Sequence, residues 1–335
     1  MNSYYYISMD SPNAAKRHVD EIAHRSGFRD VAVKTGKGKV ATFFRKLFSM
    51  ASLLVRIGKG DVLLIQYPFK KFYVIQCKIA HLKEAKSITL IHDLGTFRRG
   101  KLTAEQEIHR LSHTDAIIVH NQRMNNWLTE HGCKLPLVNL DIFDYLSPNE
   151  PKTGHTAGAQ PSIVFAGGIS RRKSSFIYDL DSCLDGCCMN LYGSGLEQDA
   201  DKEWKNIKYH GPIGSDEFIR TIDSDWGLVW DGDSVDGCSG VWGSYLKINN
   251  PHKTSFYLRA GLPVIVWKDS AMAPFILENK LGIAVDSLRE LPKVLTGITP
   301  AQYDEFKQAA MREKNLLNDG HYFKKAFAAA LDRLH

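Results

Sequence analysis

The stretch NPHKTSFYLRAGLPVIVW, which starts at Asn250, sets Asn250, His252, Lys253, Thr254 and Ser255 ahead of a short helix-like run, a break at Ala260-Gly261 and a β-branched strand. An ammonium, two hydroxyls and the free N–H groups of a helix start are the donors that hold an anion, a diphosphate above all. Asn250 and His252 can reach adjacent groups. A structural role competes: Thr254 or Ser255 caps the helix while Lys253 is solvated.

Three glycine turns accompany this stretch. FAGGISRRK brings Gly167 and Gly168, followed by Arg171, Arg172 and Lys173; LYGSG brings Gly193 and Gly195; YHGPIG brings Tyr209 and Gly211. Glycine lets backbone approach a ligand, and the cations supply paired donors or a point charge for phosphate. Neither G-x-x-x-x-G-K-[ST] nor G-x-G-x-x-G after a strand occurs, which excludes a P-loop and the dinucleotide fingerprint. DGDSVDG at Asp231–Gly237 lacks the spacing and closing glutamate of a calcium loop, so it is expected to be a loop near the ligand, with Trp230 or Asp231 facing it. In the first half, IHDLGTFRRGK ends a strand at His92-Asp93. A carboxylate or an imidazole there can take a proton from a hydroxyl: Asp93 is the candidate base and His92 the alternative, with Asp93 capping the next turn as the structural option. Asp10 and Asn13 follow the first strand, and Arg98, Arg99 and Lys101 form a basic loop suited to an anionic acceptor.

Positioning these residues requires strand ends. Apolar runs at 4–8, 30–34, 61–66, 87–91 and 116–120 alternate with helical patterns at 13–25, 40–57, 72–83, 104–112 and 122–131. After residue 161 the alternation restarts, with strands at 162–165, 189–192, 207–210, 225–230 and 263–266, helices at 215–222, 254–259 and 271–278, and two helices over 301–334. Between them SPNEPKTGHTAGAQP, from Ser147, has no periodicity and reads as a linker. Such alternation builds open parallel sheets, whose ligands sit at the carboxyl ends of the strands.

The 335 residues suffice for two cores, expected at 1–150 and 151–335, and 44% hydrophobic with 24% charged content is ordinary for a globular chain. No apolar run is long enough to span a bilayer, the first residues lack a signal-peptide pattern, and six scattered cysteines fit reduced thiols, so a cytoplasmic location is expected. Residues 1–150 carry 22 Lys/Arg against 14 Asp/Glu, whereas 151–335 carry 21 against 23. The basic half suits an anionic partner such as a phospholipid surface or a phosphorylated acceptor. The pattern at 40–57 sets Arg45, Lys46 and Arg56 around Phe43, Phe44, Leu47, Phe48 and Leu54, a composition that suits peripheral membrane contact or a core face.

IHDLGTFR, FAGGISRR, DWGLVW and HKTSFYLRAGLPVIVW resemble bacterial glycosyltransferases of the GT-B fold, in particular the β-1,6-galactofuranosyltransferase-like group and, through it, the second glucosyltransferase of streptococcal serine-rich adhesin glycosylation. The resemblance covers most of the chain in element order. It implies an α/β architecture of two Rossmann-like domains facing across a cleft, an acceptor domain and a nucleotide-sugar domain, with C-terminal helices crossing back to the first. It implies that UDP is held by Arg171, the Tyr209–Gly211 turn and Lys253 to Ser255, to which the residues themselves add Gly167, Gly168, Lys173 and Asn250, and that a loop with Ser11 and Asn13 closes over the donor. No cofactor or divalent metal is expected, since cations and the helix terminus neutralise the leaving diphosphate. The paired glutamates seven residues apart that mark many retaining relatives are absent, which favours inversion. The segment Asp231–Asn250, with Trp242 and Tyr245, departs from the family by its length and glycines. The expected activity is transfer of a hexose, galactofuranose or glucose, from a UDP-sugar to a glycan or lipid-linked oligosaccharide acceptor in cell-surface polysaccharide or glycoprotein synthesis. Nucleic acid is not an expected partner; a homo-oligomer is compatible. The alternatives are a UDP-sugar epimerase of the same fold and a non-catalytic carbohydrate-binding partner of a glycosylation complex.

Overall fold

The computed structural model describes residues 3–8, 11–34, 38–69, 72–98, 100–154, 158, 160–197 and 203–334. Two units divide the chain: Met1–Asp144 with Gly320–His335, and Tyr145–Asp319. The first contains β1 (Tyr4–Tyr6), β2 (Arg29–Asp30), β3 (Val62–Tyr67), β4 (Lys86–Ile91), β5 (Ala116–Val119) and β6 (Leu137–Asn139) in one parallel sheet, ordered β2-β1-β3-β4-β5-β6. Every residue of β3, VLLIQY, is buried, as a parallel strand covered on both faces requires. The sheet changes direction of growth between β1 and β3, a topological switch point. The strand expected over 30–34 shrinks to Arg29–Asp30 because Asp30 Oδ1 accepts from Ala32 N–H (2.8 Å) and from Ser8 N–H (3.1 Å), turning the chain off the sheet. The last helix, His321–Asp332, packs Phe323 and Phe327 against Phe28. Its first turn is anchored by Asp144, whose two carboxylate oxygens accept from the N–H groups of Tyr322 (3.1 Å) and Phe323 (2.7 Å).

The second unit contains β7 (Ser162–Gly168), β8 (Cys188–Ser194), β9 (Ile207–Gly211), β10 (Trp226–Val229), β11 (Val264–Trp267) and β12 (Gly282–Val285), again all parallel, ordered β12-β11-β10-β7-β8-β9. Counted from β7 this is the Rossmann order 3-2-1-4-5-6, with its switch point between β7 and β10. Fully buried Phe165, Phe176 and Trp230 lie in its core. The Ser147–Glu150 part of the proline-rich segment is held rather than loose: the buried Arg259 guanidinium donates to Ser147 O (2.9 Å), Asn149 O (2.6 Å) and Glu150 Oε1 (2.9 Å).

Gly193 shows how close the two central strands run. A Cβ there would stand 1.8 Å from the Gly167 carbonyl oxygen, on a backbone already at φ +147°. Gly193→Ala is expected to cost about 1–3 kcal/mol through forced displacement of β7 from β8. Urea unfolding measures it; a change within error would mean that the strands move apart freely.

Candidate active site

The second unit builds its site at the switch point. Lys253 lies in the first turn of the helix His252–Arg259, which begins two residues earlier than the sequence pattern suggests. Its side chain is 12% exposed, with Nζ 3.8 Å from the Phe165 ring centroid on β7 and 3.4 Å from Asp231 Oδ1 just after β10. A Cβ on Gly167 would meet Lys253 Nζ at 3.7 Å, an ordinary contact, so the ammonium lies directly against that position. Lys173 Nζ approaches the same Asp231 oxygen at 4.0 Å. Two ammoniums thus converge on one carboxylate where the sheet reverses. Burial pushes the Lys253 ammonium down to about 8, helped by Lys173 and opposed by Asp231. An arriving anion reverses that shift, because it restores to the ammonium the stabilisation that water supplied.

The loops carrying these groups are tied together. Gly232 N–H donates to Lys173 O (3.2 Å), and Ser174 Oγ donates to Gly168 O (3.0 Å). A cavity of ≈ 310 Å³ opens beside Gly167, lined among others by Gly193, Ser194, Ile213, Tyr145 and Phe256. Mixed aromatic and backbone walls of that size suit a nucleoside-sized group. Tyr209 is exposed and donates through its hydroxyl to Gly193 O (2.9 Å), while Gly211 ends β9.

Thr254 and Ser255 are buried, and neither hydroxyl oxygen has a hydrogen-bond partner among the described residues. Neither serves as the cap; Pro251 holds that position without a side-chain bond. Buried hydroxyls are normally hydrogen-bonded, so two without a partner at a helix start call for an explanation, and a bound ligand is one. Asn250 is buried, and His252 stacks on Tyr145 at 4.7 Å between ring centroids. Arg171 is exposed, with its guanidinium over the Tyr178 ring at 4.1 Å, and its backbone N–H donates to Glu197 Oε1 (3.2 Å). The structure therefore gathers Gly167, Gly168, Lys173 and Lys253, and leaves Arg171 on a neighbouring surface. Asp231 is the organising carboxylate that sequence reasoning placed only in a nearby loop.

The first unit offers a second constellation near its own switch point. His92 follows β4, is buried, and stacks on Phe143 at 5.3 Å. Its Nε2 lies 2.7 Å from Gln66 Oε1, and Gln66 Nε2 donates to Asp20 Oδ1 (2.6 Å). Because the amide nitrogen is committed to Asp20, its oxygen accepts from His92, so Nε2 carries the proton and the neutral ring keeps Nδ1 as its basic atom. Asp93 is half-buried beside it. His120, just after β5, donates from Nε2 to Ile91 O (3.0 Å), and complete burial lowers it to about 4, so it stays neutral. Ser11 and Asn13 serve the start of helix Ala14–Arg25: Asn13 Oδ1 accepts from Ala15 N–H (2.9 Å), and Ser11 Oγ accepts from Asn13 N–H (3.2 Å). Lys101 is exposed. Asp10 and Arg99 lie outside the described residues. Neither Gln66 nor Asp20 was read as functional from sequence; Gln66 stands out in hindsight as the polar residue closing an otherwise apolar strand.

Two Rossmann-like units, each an open parallel sheet with a switch point, are the architecture of the GT-B glycosyltransferases. The fold matches the apo lipopolysaccharide outer core galactosyltransferase WaaB with a TM-score of 0.62 at 9% identity, covering 98% of this chain and 99% of that one. The chain belongs to the glucosyltransferase 3-like family: its N-terminal domain matches residues 2–142 and its C-terminal domain residues 163–330. It is 33% identical over 288 residues to beta-1,6-galactofuranosyltransferase WbbI of Escherichia coli (strain K12), spanning 85% of this chain and 83% of the relative. It is 24% identical to glucosyltransferase 3 of Streptococcus gordonii, spanning 98% of this chain and 97% of that one. The protein is thus a transferase, rather than an epimerase or a non-catalytic partner.

Proposed function

We propose that the enzyme transfers galactofuranose or glucose from a UDP-sugar to a glycan acceptor, in the cytoplasm, by a single inverting displacement. One observation carries the donor assignment: the Lys253 ammonium is fixed at the Rossmann switch point, next to a cavity of nucleoside size. On this reading the uridine occupies the cavity, and the diphosphate meets Lys253 and Lys173 together with the N–H groups at the start of helix His252–Arg259. Negative charge grows on the leaving diphosphate as the glycosidic bond breaks, and fixed cations stabilise that charge most in the transition state. Two ammoniums supply the role a divalent ion would take, which supports metal-independent transfer. The first unit supplies the base: an acceptor hydroxyl loses its proton to His92 Nδ1 or to the Asp93 carboxylate as it attacks the anomeric carbon. The names of both curated relatives support a sugar-transfer reaction on glycans, and that of the WbbI relative supports galactofuranose as the first donor to try.

Calorimetric titration with UDP in the presence of a chelator tests the donor. Saturable binding is expected, followed by turnover of UDP-galactofuranose or UDP-glucose with inverted anomeric configuration in the product. Failure to bind UDP while another nucleotide binds would overturn the donor assignment. Binding that appears only on adding a divalent ion would overturn metal independence alone.

A further inference from the structure

The helix Lys39–Arg56 has an outer face that its own unit does not cover. Its inner face is conventional: Ser49, Met50 and Leu53 are buried, with Ile57 just beyond its end. On the outside Val40, Phe43, Phe44, Leu47, Phe48, Leu54 and Val55 are exposed, Phe48 at 50% and Val55 at 81%. With about 100° per residue these positions fall on one continuous stripe along the helix. Exposed apolar residues scattered singly need no explanation, whereas a contiguous stripe of this length marks an interaction surface.

The charge around the stripe identifies its occupant. Residues 31–83 contain 11 Lys/Arg and one acidic residue, Asp61; of the cations, Lys59 pairs with Glu84 just beyond (2.6 Å), and Lys37, Lys70 and Lys71 lie outside the described residues. The Asp61 carboxylate is turned inward, accepting from Ser3 N–H (2.9 Å) and Gly58 N–H (2.9 Å). The helix itself carries Lys39, Arg45, Lys46 and Arg56 and no acid, and the neighbouring helix Phe72–Leu82 carries Lys78 and no acid. Phenylalanines and leucines on a helix that itself carries cations and no acid match a surface that is apolar below and anionic above.

We infer that the outer face of helix Lys39–Arg56 docks the enzyme on an anionic lipid bilayer, the apolar stripe entering the headgroup–acyl boundary and the arginines remaining at the headgroups. This reading stands independently of the donor assignment, since it uses none of the residues placed at the UDP site.

Co-sedimentation of the full chain with vesicles tests it. The protein is expected to pellet with phosphatidylglycerol–phosphatidylcholine vesicles, to remain in the supernatant with phosphatidylcholine alone, and to be released by salt. Phe44→Ser/Leu47→Ser/Phe48→Ser removes three exposed side chains and is expected to lower partitioning at least about tenfold, with the melting temperature and UDP binding preserved. Arg45→Gln/Arg56→Gln is expected to lower it about tenfold on anionic vesicles. Equal pelleting on neutral vesicles, no pelleting, or unchanged pelleting of the triple variant would overturn the inference. A lipid-free dimer that the triple variant converts to monomer would overturn it too, assigning the stripe to a second copy.

Discussion

Lys253→Met is expected to lower kcat/KM for the sugar-nucleotide by about two to three orders of magnitude. Methionine keeps the unbranched stem that packs over Phe165 and between Gly167 and Asp231, so packing is nearly preserved and the lost quantity is the charge. The ammonium is costly to keep in place, as its fall to about 8 shows, and a group held at that cost is preorganised for an anion. UDP affinity is expected to weaken as well, by roughly 1.5–3 kcal/mol for a lost charged hydrogen bond. The pH dependence gives an independent check. A diphosphate binds the protonated form, so wild-type affinity declines as pH rises past about 8, and that decline is absent in Lys253→Met. Stability without ligand moves the other way. The folded ammonium titrates near 8 and the unfolded one near 10.5, so between these values the unfolded chain holds the extra proton and raising pH stabilises the fold. Thermal unfolding and UDP titration across pH 7–10 should therefore trend oppositely in wild type. Parallel trends, or a variant that turns over at the wild-type rate, would remove Lys253 from the site.

The reason Lys253 was legible in sequence is local. Its cation, the two hydroxyls after it and the strand that follows occupy one stretch, and any α/β reading puts that stretch at a strand end. Asp231 was not legible as its partner, because the pairing depends on β10 lying beside β7, and strand order is not written in either segment. The same limit applies to Gln66 and His92, which meet only because β3 and β4 are neighbours in register Tyr67↔Ile91. Long buried strands such as β3 were readable from continuous apolar runs. The short β6 and β12, partly exposed and only 3 and 4 residues long, carry too little pattern to be seen. The helix Gly240–Tyr245 contradicts its own propensity, since GVWGSY holds two glycines. Packing requires one of them: a Cβ on Gly243 would stand 2.4 Å from the Cys238 backbone. The unusual segment after Asp231 is thus folded tightly behind the Lys173–Asp231–Lys253 cluster, with Trp242 under Lys173 at 5.6 Å, and Gly243 is a packing device rather than a point of loop flexibility.

His92→Ala is expected to lower kcat by about 10²–10⁴-fold while leaving UDP affinity unchanged. Two features keep His92 a candidate base beside Asp93. The Gln66–Asp20 chain fixes the ring in one tautomer, with Nε2 donating and Nδ1 left as the proton acceptor. Stacking on Phe143 holds the ring plane, and Nδ1 is buried, so an acceptor hydroxyl reaches it only through a local opening. Asp93→Asn separates the candidates: if His92 is the base, the asparagine variant retains substantial turnover, and if Asp93 is the base it loses as much as His92→Ala while His92→Gln stays active. Gln66→Met adds a test of positioning. Gln66 touches the ring rather than the substrate, so its loss should reduce kcat less than His92→Ala, keep the donor KM, and move the acidic limb of the kcat–pH profile as the tautomer is released. A Gln66 variant that is merely less stable would lose activity without moving that limb. Turnover by both His92→Ala and Asp93→Asn at wild-type rates would place the base elsewhere than at the end of β4.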